Sequence, residues 1–179
     1  MNAKKIALGV LGVLVLAIAL VLGLAAMQPD TYTVARSRVV SGTPEQISPY
    51  LTDMHQWISW NPWDELEPTS HKEYSDPASG VGAWYTWDGE QLGSGRMEIT
   101  SIAPDEVRYD LHFLAPMEDT AEVIFTLAPE GEGTRVTWTM NGHNSFMGKL
   151  FGLFVDMDAL IGADFERGLE NLDEQLPPA

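Results

Sequence analysis

The stretch DTAEVIFTLAPEGEGTRVTWTMNG, residues 119–142, contains two runs in which apolar and polar side chains alternate. Alternation with a period of two places successive side chains on opposite faces of a β-strand. The turn sequence PEGEG between the runs is typical of a hairpin connection. We therefore predict two antiparallel strands with one apolar and one solvated face. The apolar face contains Ala121, Val123, Phe125, Leu127, Val136, Trp138 and Met140.

Four similar runs precede this hairpin, and short segments that contain proline or glycine separate them. They are HKEYS at 71–75, GAWYTWDG at 82–89, GSGRMEITSI at 93–102 and EVRYDLHFL at 106–114. Together with the hairpin they predict an antiparallel meander of six strands. The segment from Thr31 to Val40 is rich in β-branched residues and predicts one further strand.

The segment from Ser145 to Leu176 has no internal proline, and its apolar residues recur at helical spacing. It predicts one long helix that lies on the apolar face of the sheet. The N-terminal half of this predicted helix also contains apolar residues outside the main stripe, namely Leu153, Val155 and Leu160. We therefore expect this half either to pack under the tryptophan-rich segment or to face a bilayer. The main stripe contains Met147, Leu150, Phe154, Met157, Ile161, Phe165, Leu169 and Leu172.

Two short helices are predicted between the first strand and the meander. Thr43 followed by Pro44 and Glu45 is typical of a helix start. Ser48-Pro49 predicts a break or restart, and Asn61-Pro62 predicts the end of the second helix near Trp60.

The N-terminal segment Ile6 to Ala26 has no charged side chain. Its length of twenty-one residues is sufficient for a helix that spans a bilayer. We favour an uncleaved anchor over a signal peptide, whose apolar region usually has ~7–15 residues. Lys4 and Lys5 precede the segment and predict the N-terminus inside, with the domain on the outer, periplasmic side. The predicted organisation is an anchor at 1–27, a linker at 28–30, one domain at 31–176 and a tail at 177–179.

Residues 28–179 contain all 26 acidic and eight of the ten basic residues, a net charge of −18. This charge argues against nucleic acid as a partner. The chain has no cysteine, so it can form neither a disulfide nor a thiolate metal site. The four histidines, His55, His71, His112 and His143, are widely scattered, and we expect no metal and no cofactor.

Five stretches of the sequence, in their order along the chain, resemble the SRPBCC superfamily. Within that superfamily they resemble the START-like, polyketide cyclase/dehydrase-like bacterial proteins. The resemblance covers roughly Thr31 to Leu176 and implies an α+β helix-grip fold, here preceded by one transmembrane helix. In that fold a curved seven-stranded antiparallel sheet wraps around a long C-terminal helix, with an apolar cavity between them. The stretches are WNPWDELEP, SGVGAWYTWDG, GSGRMEIT, PEGEGTRVTWTMNG and FMGKLFGLFVDMDALIGADFERGLENL.

The stretch WISWNPW, residues 57–63, contains three of the six tryptophans. We interpret Trp57 and Trp60 first as core residues that close the helical layer over the sheet. They are second candidates for the mouth of the cavity, and contact with a bilayer interface is the third interpretation.

Asp158 falls within the apolar stripe of the end helix and therefore needs a partner or a proton. A structural hydrogen bond to a tryptophan or tyrosine of the sheet is the favoured interpretation. The alternative is a carboxyl group in the cavity, with its pKa raised by desolvation, that anchors a ligand or acts as a general acid.

Membrane-tethered binding of a small hydrophobic ligand, such as a lipid, quinone or polyketide-like compound, is the favoured function. A cyclase or dehydratase that uses the same cavity and an interaction module of an envelope complex are the alternatives, and no catalytic residue is assigned. In the strand that contains Trp84 and Trp87, alternation leaves open which of the two faces the cavity. The predicted ligand-binding residues are Trp57, Trp60, Trp84, Met97, Tyr109, Phe113, Trp138, Phe154, Asp158 and Ile161.

Overall fold

The computed structural model describes residues 3–177, with side chains from residue 8 onward. The last two residues of the predicted tail and the side chains of Lys4 and Lys5 lie outside this range. The chain divides into two compact units. The N-terminal unit contains the residues up to Tyr32 together with Asn144–Met157, and the sheet unit contains Thr33–His143 together with the residues from Asp158 onward.

The N-terminal unit contains helix α1, Ala3–Ala26, and the short helix α5, Phe146–Phe151. Within α1, Leu8–Ala26 is long and apolar enough to cross a membrane, with a mean hydropathy of 2.9. The Asn144 backbone N–H donates to the Asp30 carbonyl at 2.8 Å, and Lys149 forms an ion pair with Asp30. These contacts fix the start of α5 to the chain that follows α1.

A seven-stranded antiparallel sheet forms the sheet unit, with strand order β1-β7-β6-β5-β4-β3-β2. The six-strand meander and the first strand are confirmed. Alternate residues of β6 and β7 are buried, from Ala121 to Leu127 and from Val136 to Met140, as the alternation predicts. The strands are β1 Thr31–Val40, β2 His71–Tyr74, β3 Trp84–Gly89, β4 Gly93–Ala103, β5 Glu106–Ala115, β6 Asp119–Glu130 and β7 Gly133–His143.

Three short helices, not two, connect β1 to β2: α2 Pro44–Thr52, α3 Met54–Trp57 and α4 Pro62–Leu66. The predicted break at Pro49 is wrong, because α2 continues through it and buries Ile47 and Leu51. Asn61-Pro62 begins α4 rather than only ending a helix. The Asn61 side chain accepts from the Trp63 backbone N–H, and proline occupies the first helical position, where no donor is lost.

The predicted continuous helix at 145–176 is wrong in its first half, because α5 ends at Phe151 and the next helix, α6, spans Met157–Gln175. Gly148 and Gly152 weaken helix propagation by about 1 kcal/mol each relative to alanine. Helix α6 buries Phe165, Leu169 and Leu172, and Phe165 stacks on Trp138 of β7 at 4.1 Å between ring centroids. The long C-terminal helix therefore packs on the apolar face of the sheet, and the helix-grip fold is confirmed.

Candidate functional site

A cavity of about 270 Å³ lies inside the sheet unit, between the sheet and the helices α3, α4 and α6. Its wall is mostly aromatic and aliphatic, with one polar corner. The lining residues are Trp57, Asn61, Trp63, Asp64, Lys72, Tyr85, Trp87, Gln91, Leu92, Met97, Leu111, Phe113, Val123, Trp138 and Phe165.

Four aromatic side chains beside this cavity contact one another, and we call them the packed cluster: Trp57, Trp60, Tyr109 and Phe125. One of them, Trp57, also lines the cavity. Each of the four is at most 1% exposed. Trp57 and Trp60 meet edge to face, with ring centroids 4.6 Å apart. The Trp60 indole N–H donates to the Tyr50 carbonyl at 3.0 Å, and the Tyr109 hydroxyl donates to the Leu51 carbonyl. Both polar atoms thus bond to the backbone of α2, and the cluster is core.

Aromatic rings of the cavity wall contact one another edge to face. Trp63 meets Trp138 edge-on with ring centroids 5.7 Å apart, and Trp87 meets Phe113 in the same way at 6.2 Å. The Trp63 indole N–H donates to an Asp164 carboxylate oxygen of α6 at 3.2 Å, which fixes the ring against that helix. The rings that bound the cavity therefore contact one another, and Trp63 is also fixed by α6.

An ion pair forms the polar corner of the cavity. Lys72 Nζ lies 2.5 Å from Asp64 Oδ1, and both side chains are at most 15% exposed. The other Asp64 oxygen accepts from the Asn61 side-chain amide at 2.8 Å, and Lys72 also donates to the Ser70 hydroxyl. Across residues 3–177, no group of three or more histidine and carboxylate side chains is placed to hold a metal ion.

The turn between β3 and β4 is held over the cavity by one carboxylate. Glu67 accepts hydrogen bonds from the backbone N–H groups of Glu90, Gln91 and Leu92 at 2.8–3.0 Å. These hydrogen bonds, that of Leu92 first, lower the pKa of Glu67 below its ordinary value. Since Gln91 and Leu92 line the cavity, Glu67 determines where that part of the wall lies.

Tyr85 and Trp138 carry buried donors at the cavity wall. The Trp57 indole N–H donates to the Tyr85 hydroxyl oxygen at 3.2 Å, and burial raises the pKa of Tyr85 well above its ordinary value. The phenol is therefore protonated at neutral pH. Trp138 Nε1 is buried and has no hydrogen-bond partner among the described residues.

Four of the ten predicted ligand-binding residues line the cavity: Trp57, Met97, Phe113 and Trp138. Trp60 and Tyr109 lie in the packed cluster instead. Trp84 is on the opposite face of β3, where Arg96 lies 4.5 Å above its ring. Trp87 occupies the cavity position that the alternation left open. The ligand-binding role of the four lining residues stays a prediction.

The three residues predicted from the end of the chain are not among the residues that line the cavity. Phe154 is 75% exposed, in the non-helical segment between α5 and α6. Ile161 is half-buried on α6, outside the cavity wall. Asp158 contacts neither a tryptophan nor a tyrosine of the sheet but Arg36 of β1, with oxygen to nitrogen distances of 3.0 and 3.2 Å. This hydrogen-bonded cation lowers the pKa of Asp158, whereas a cavity position would raise it.

The sequence interpretation missed several cavity residues, and a readable signal existed for some of them. A capping residue followed by proline and an acid is typical of a helix start, as at Thr43, Pro44 and Glu45. The same pattern recurs at Asn61, Pro62 and Asp64, and it predicts the helix that contains Trp63. Nothing local indicates that Lys72 of β2 reaches Asp64, because that pairing depends on the tertiary fold.

The family described as polyketide cyclase / dehydrase and lipid transport matches residues 31–177. The chain belongs to this family. No curated protein matches the chain.

Solved structures of similar fold come from several sources. Protein CV1439 from Chromobacterium violaceum has a TM-score of 0.61 at 17% identity, over 85% of this chain and 100% of that chain. Protein MLL2253 from Mesorhizobium loti has a TM-score of 0.58 at 18% identity, over 80% and 95%. DynU16, from the dynemicin biosynthetic locus, has a TM-score of 0.56 at 17% identity, over 82% and 47%. Identities this low show a common fold and no more.

Proposed function

We propose that this protein is a membrane-tethered binding protein that holds one small apolar molecule in the cavity of the sheet unit. The cavity itself carries the proposal, because about 270 Å³ is left open beside a cluster whose rings are fully packed. Protein interiors contain few voids larger than a water molecule, and an empty apolar void costs stability. A mostly apolar void with a few polar groups is typical of a ligand site.

The cavity volume restricts the ligand. It lies just below the ~300–1,000 Å³ of typical small-molecule pockets. A molecule of two or three rings, such as a quinone or a polyketide-like compound, or a single short acyl chain, suits this volume. A whole two-chain phospholipid does not.

The tether in this proposal is α1, with the N-terminus inside and the domain on the outer side of the membrane. Lys4 and Lys5 are the only basic residues before Arg36, and basic residues favour the inner side. The sheet unit contains seven basic and 24 acidic residues and is repelled by anionic headgroups. Membrane residence therefore depends on apolar segments.

Cyclase or dehydratase activity is the second candidate, because the Asp64 carboxylate and the Lys72 ammonium group both border the cavity. An acid and a base within reach of one substrate are what such chemistry requires. Each group already has two hydrogen-bond partners, which favours a structural role. If the chain is an enzyme, Asp64→Asn abolishes turnover of a bound substrate and leaves its affinity nearly unchanged.

A cavity-filling substitution tests the binding proposal. Leu111 lines the cavity, whereas Leu114, on the same strand, is 56% exposed. Isothermal titration of the full chain in lipid nanodiscs with the neutral probe N-phenyl-1-naphthylamine, corrected with empty nanodiscs, measures binding. We expect Leu111→Trp to abolish the protein-dependent signal and Leu114→Trp to retain it. Equal binding by both variants contradicts the proposal.

A further inference from the structure

The hydrogen-bonding groups in the buried wall of the cavity are unequally satisfied. Its acceptors are occupied: Asp64 accepts from Lys72 and Asn61, and the Asn61 side-chain oxygen accepts from the Trp63 backbone N–H. The Tyr85 hydroxyl oxygen accepts from the Trp57 indole. Each of these acceptors therefore already has at least one protein donor.

Two buried donors of the same wall, the Tyr85 hydroxyl and the Trp138 indole N–H, lack a protein acceptor in the part of the chain that the structure describes. Tyr85 uses its oxygen to accept from Trp57, so its own hydrogen remains available, and no described group accepts it. The Trp138 indole N–H is also without a partner. A buried donor that lacks an acceptor costs about 1–3 kcal/mol.

The contact between Trp57 and Tyr85 strengthens the phenol as a donor. A hydroxyl that accepts a hydrogen bond becomes polarised and donates more strongly. The Trp57 indole is fixed by the packed cluster, so it holds the Tyr85 oxygen in one orientation. The hydrogen of Tyr85 is therefore the preorganised donor of the cavity.

We propose that the ligand carries a hydrogen-bond-accepting oxygen, of the ketone or quinone kind, and that the Tyr85 hydroxyl donates to it. This inference rests on the proposed function, because it concerns the molecule that occupies the same cavity. A site that is built to hydrogen-bond an oxygen discriminates against an analogue without one, since its own polar group is then left unpaired.

A matched pair of probes tests this inference: 2-acetylnaphthalene and 2-isopropenylnaphthalene, which differ only by oxygen in place of a methylene group. Titration of the full chain in nanodiscs gives the ratio of the two dissociation constants. We expect the ketone to bind about fivefold more tightly, after correction for partition into empty nanodiscs. Tyr85→Phe should bring the ratio close to one. Tyr74→Phe, the same change on a ring that stacks on Tyr85 outside the cavity wall, should leave it unchanged.

The carbonyl stretch of carbon-13-labelled 2-acetylnaphthalene gives a direct second measurement. A hydrogen bond from Tyr85 shifts the stretch of the bound ketone to lower wavenumber, and Tyr85→Phe reverses the shift. If both probes bind equally to the wild-type chain, or the shift survives Tyr85→Phe, the inference is overturned while the binding function stands. If neither probe binds, the proposed function itself fails.

A different observation, in the N-terminal unit, carries a second inference. The segment 144–157 exposes large apolar side chains, among them Phe151 at 59% and Phe154 at 75%. Phe146, Met147, Val155 and Met157 are also between 37% and 49% exposed. We call these six side chains the apolar apron. Exposed apolar patches of this kind mark a surface that is covered by a partner or a membrane.

The apolar apron is held against the end of the membrane-spanning segment. Helices α1 and α5 contact each other within the N-terminal unit. Asn144 is hydrogen-bonded to Pro29 and Asp30, which follow the last turn of α1, and Lys149 pairs with Asp30. A helix that crosses a bilayer brings these residues to the membrane surface.

The charge of the apron segment also suits a lipid surface. Residues 144–157 contain one basic and one acidic residue, Lys149 and Asp156, and are neutral overall. This contrasts with the strongly acidic sheet unit. Neutrality removes the electrostatic barrier to anionic headgroups, and the aromatic rings supply the affinity of an interfacial element.

We infer that the apolar apron is a second membrane contact, which lies in the headgroup region of the bilayer next to the end of α1. Since the chain has no cysteine, single-cysteine variants can be labelled at one position each. Phe154→Cys carries bimane in the apron, Val15→Cys reports on the span, and Glu132→Cys reports on an exposed acidic turn. The full chain is placed in vesicles of phosphatidylcholine and phosphatidylglycerol that contain nitroxide lipids.

We expect nitroxide at the headgroup to quench the Phe154→Cys label most, because interfacial elements enter about 5–10 Å into the headgroup and acyl boundary. Nitroxide deep in the acyl chain should quench the Val15→Cys label. The Glu132→Cys label should be quenched least, because it belongs to the acidic sheet unit that anionic headgroups repel. If the Val15→Cys label is quenched and the Phe154→Cys label is not, the apolar apron faces protein or solvent instead of the bilayer. That result overturns the inference. If the span label is also unquenched, the tether of the proposed function fails.

Discussion

The packed cluster and the cavity wall are both built from large aromatic side chains, yet one is filled and the other encloses space. In the packed cluster, the polar atoms of Trp60 and Tyr109 bond to the backbone of α2, and the rings interlock around Phe125. At the cavity, Trp63 is held from outside by Asp164, and Tyr85 and Trp138 have donors without acceptors. The packed cluster is therefore core, whereas the unused donors of Tyr85 and Trp138 beside a void make these two residues candidates for binding.

One substitution at two positions gives the largest expected contrast. Phe125→Ala removes a fully buried ring and should lower the free energy of unfolding by about 3–5 kcal/mol. Phe113→Ala removes a partly exposed ring beside existing space and should cost about 1–2 kcal/mol. Urea unfolding of the full chain in detergent, followed by circular dichroism, measures both. Equal costs would mean that the cavity closes around its own side chains.

A pair of hydroxyl deletions separates the two regions by function. Tyr109→Phe leaves the Leu51 carbonyl, in the last turn of α2, without its donor and should cost about 1–3 kcal/mol of stability. In the Tyr109→Phe variant, the ratio of the dissociation constants of 2-acetylnaphthalene and 2-isopropenylnaphthalene should equal the wild-type ratio. A change in that ratio as large as the one expected for Tyr85→Phe would remove the distinction between core and site.

The Glu67 carboxylate gives a pH-dependent test of the cavity wall. Because its pKa is lower in the folded state than its ordinary value of 4.5, its stabilisation is complete above that pH. It is then lost as the pH falls through the lower folded-state pKa. Glu67→Gln should lower the melting temperature at neutral pH, and the melting temperature of the variant should fall less steeply than that of the wild type as the pH drops below 4.5.

Amide exchange at Glu90, Gln91 and Leu92 provides the local measurement for Glu67→Gln. Exchange at these three N–H groups should become faster in the variant, whereas exchange in β6 and β7 should not change. Unaltered protection at the turn would show that Glu67 does not position it.

Asp158→Asn should have the smallest effect. Its carboxylate is exposed, and Arg36 keeps Glu166 at 3.1 Å and the Asp158 backbone carbonyl at 2.9 Å. Exposed ion pairs contribute little to stability. The melting temperature should therefore change only slightly, and probe binding should not change. Loss of probe binding would return Asp158 to the cavity role that its helical position first suggested.

The sheet could be predicted from the sequence because its information is local. Alternation in β6 and β7 and the short turns between the runs determine which face is apolar, and burial follows that pattern. The start of α2 was readable from Thr43 and Pro44 for the same reason. The sequence signal for the start of α4 is equally local, but Pro62 was interpreted only as the end of the preceding helix.

The site could be predicted only in part, because it depends on pairs of residues that are distant in the sequence. Helical spacing placed Asp158 near the apolar stripe but could not indicate Arg36, which lies 122 residues earlier and draws the carboxylate outward. The position predicted for Phe154 required an unbroken helix through Gly152, and the structure instead ends α5 at Phe151. Alternation placed Trp84 and Trp87 on opposite faces of β3, and the structure shows that Trp87 lines the cavity.

The binding function is tested by whether the cavity of the native protein contains a molecule. The full chain is extracted gently from its own membrane and measured by native mass spectrometry, and the released molecules are identified after denaturation. We expect one apolar, oxygen-bearing molecule per chain, displaced by 2-acetylnaphthalene and absent from Leu111→Trp. An empty chain that binds neither naphthalene probe would contradict the account and leave the cavity as a packing defect.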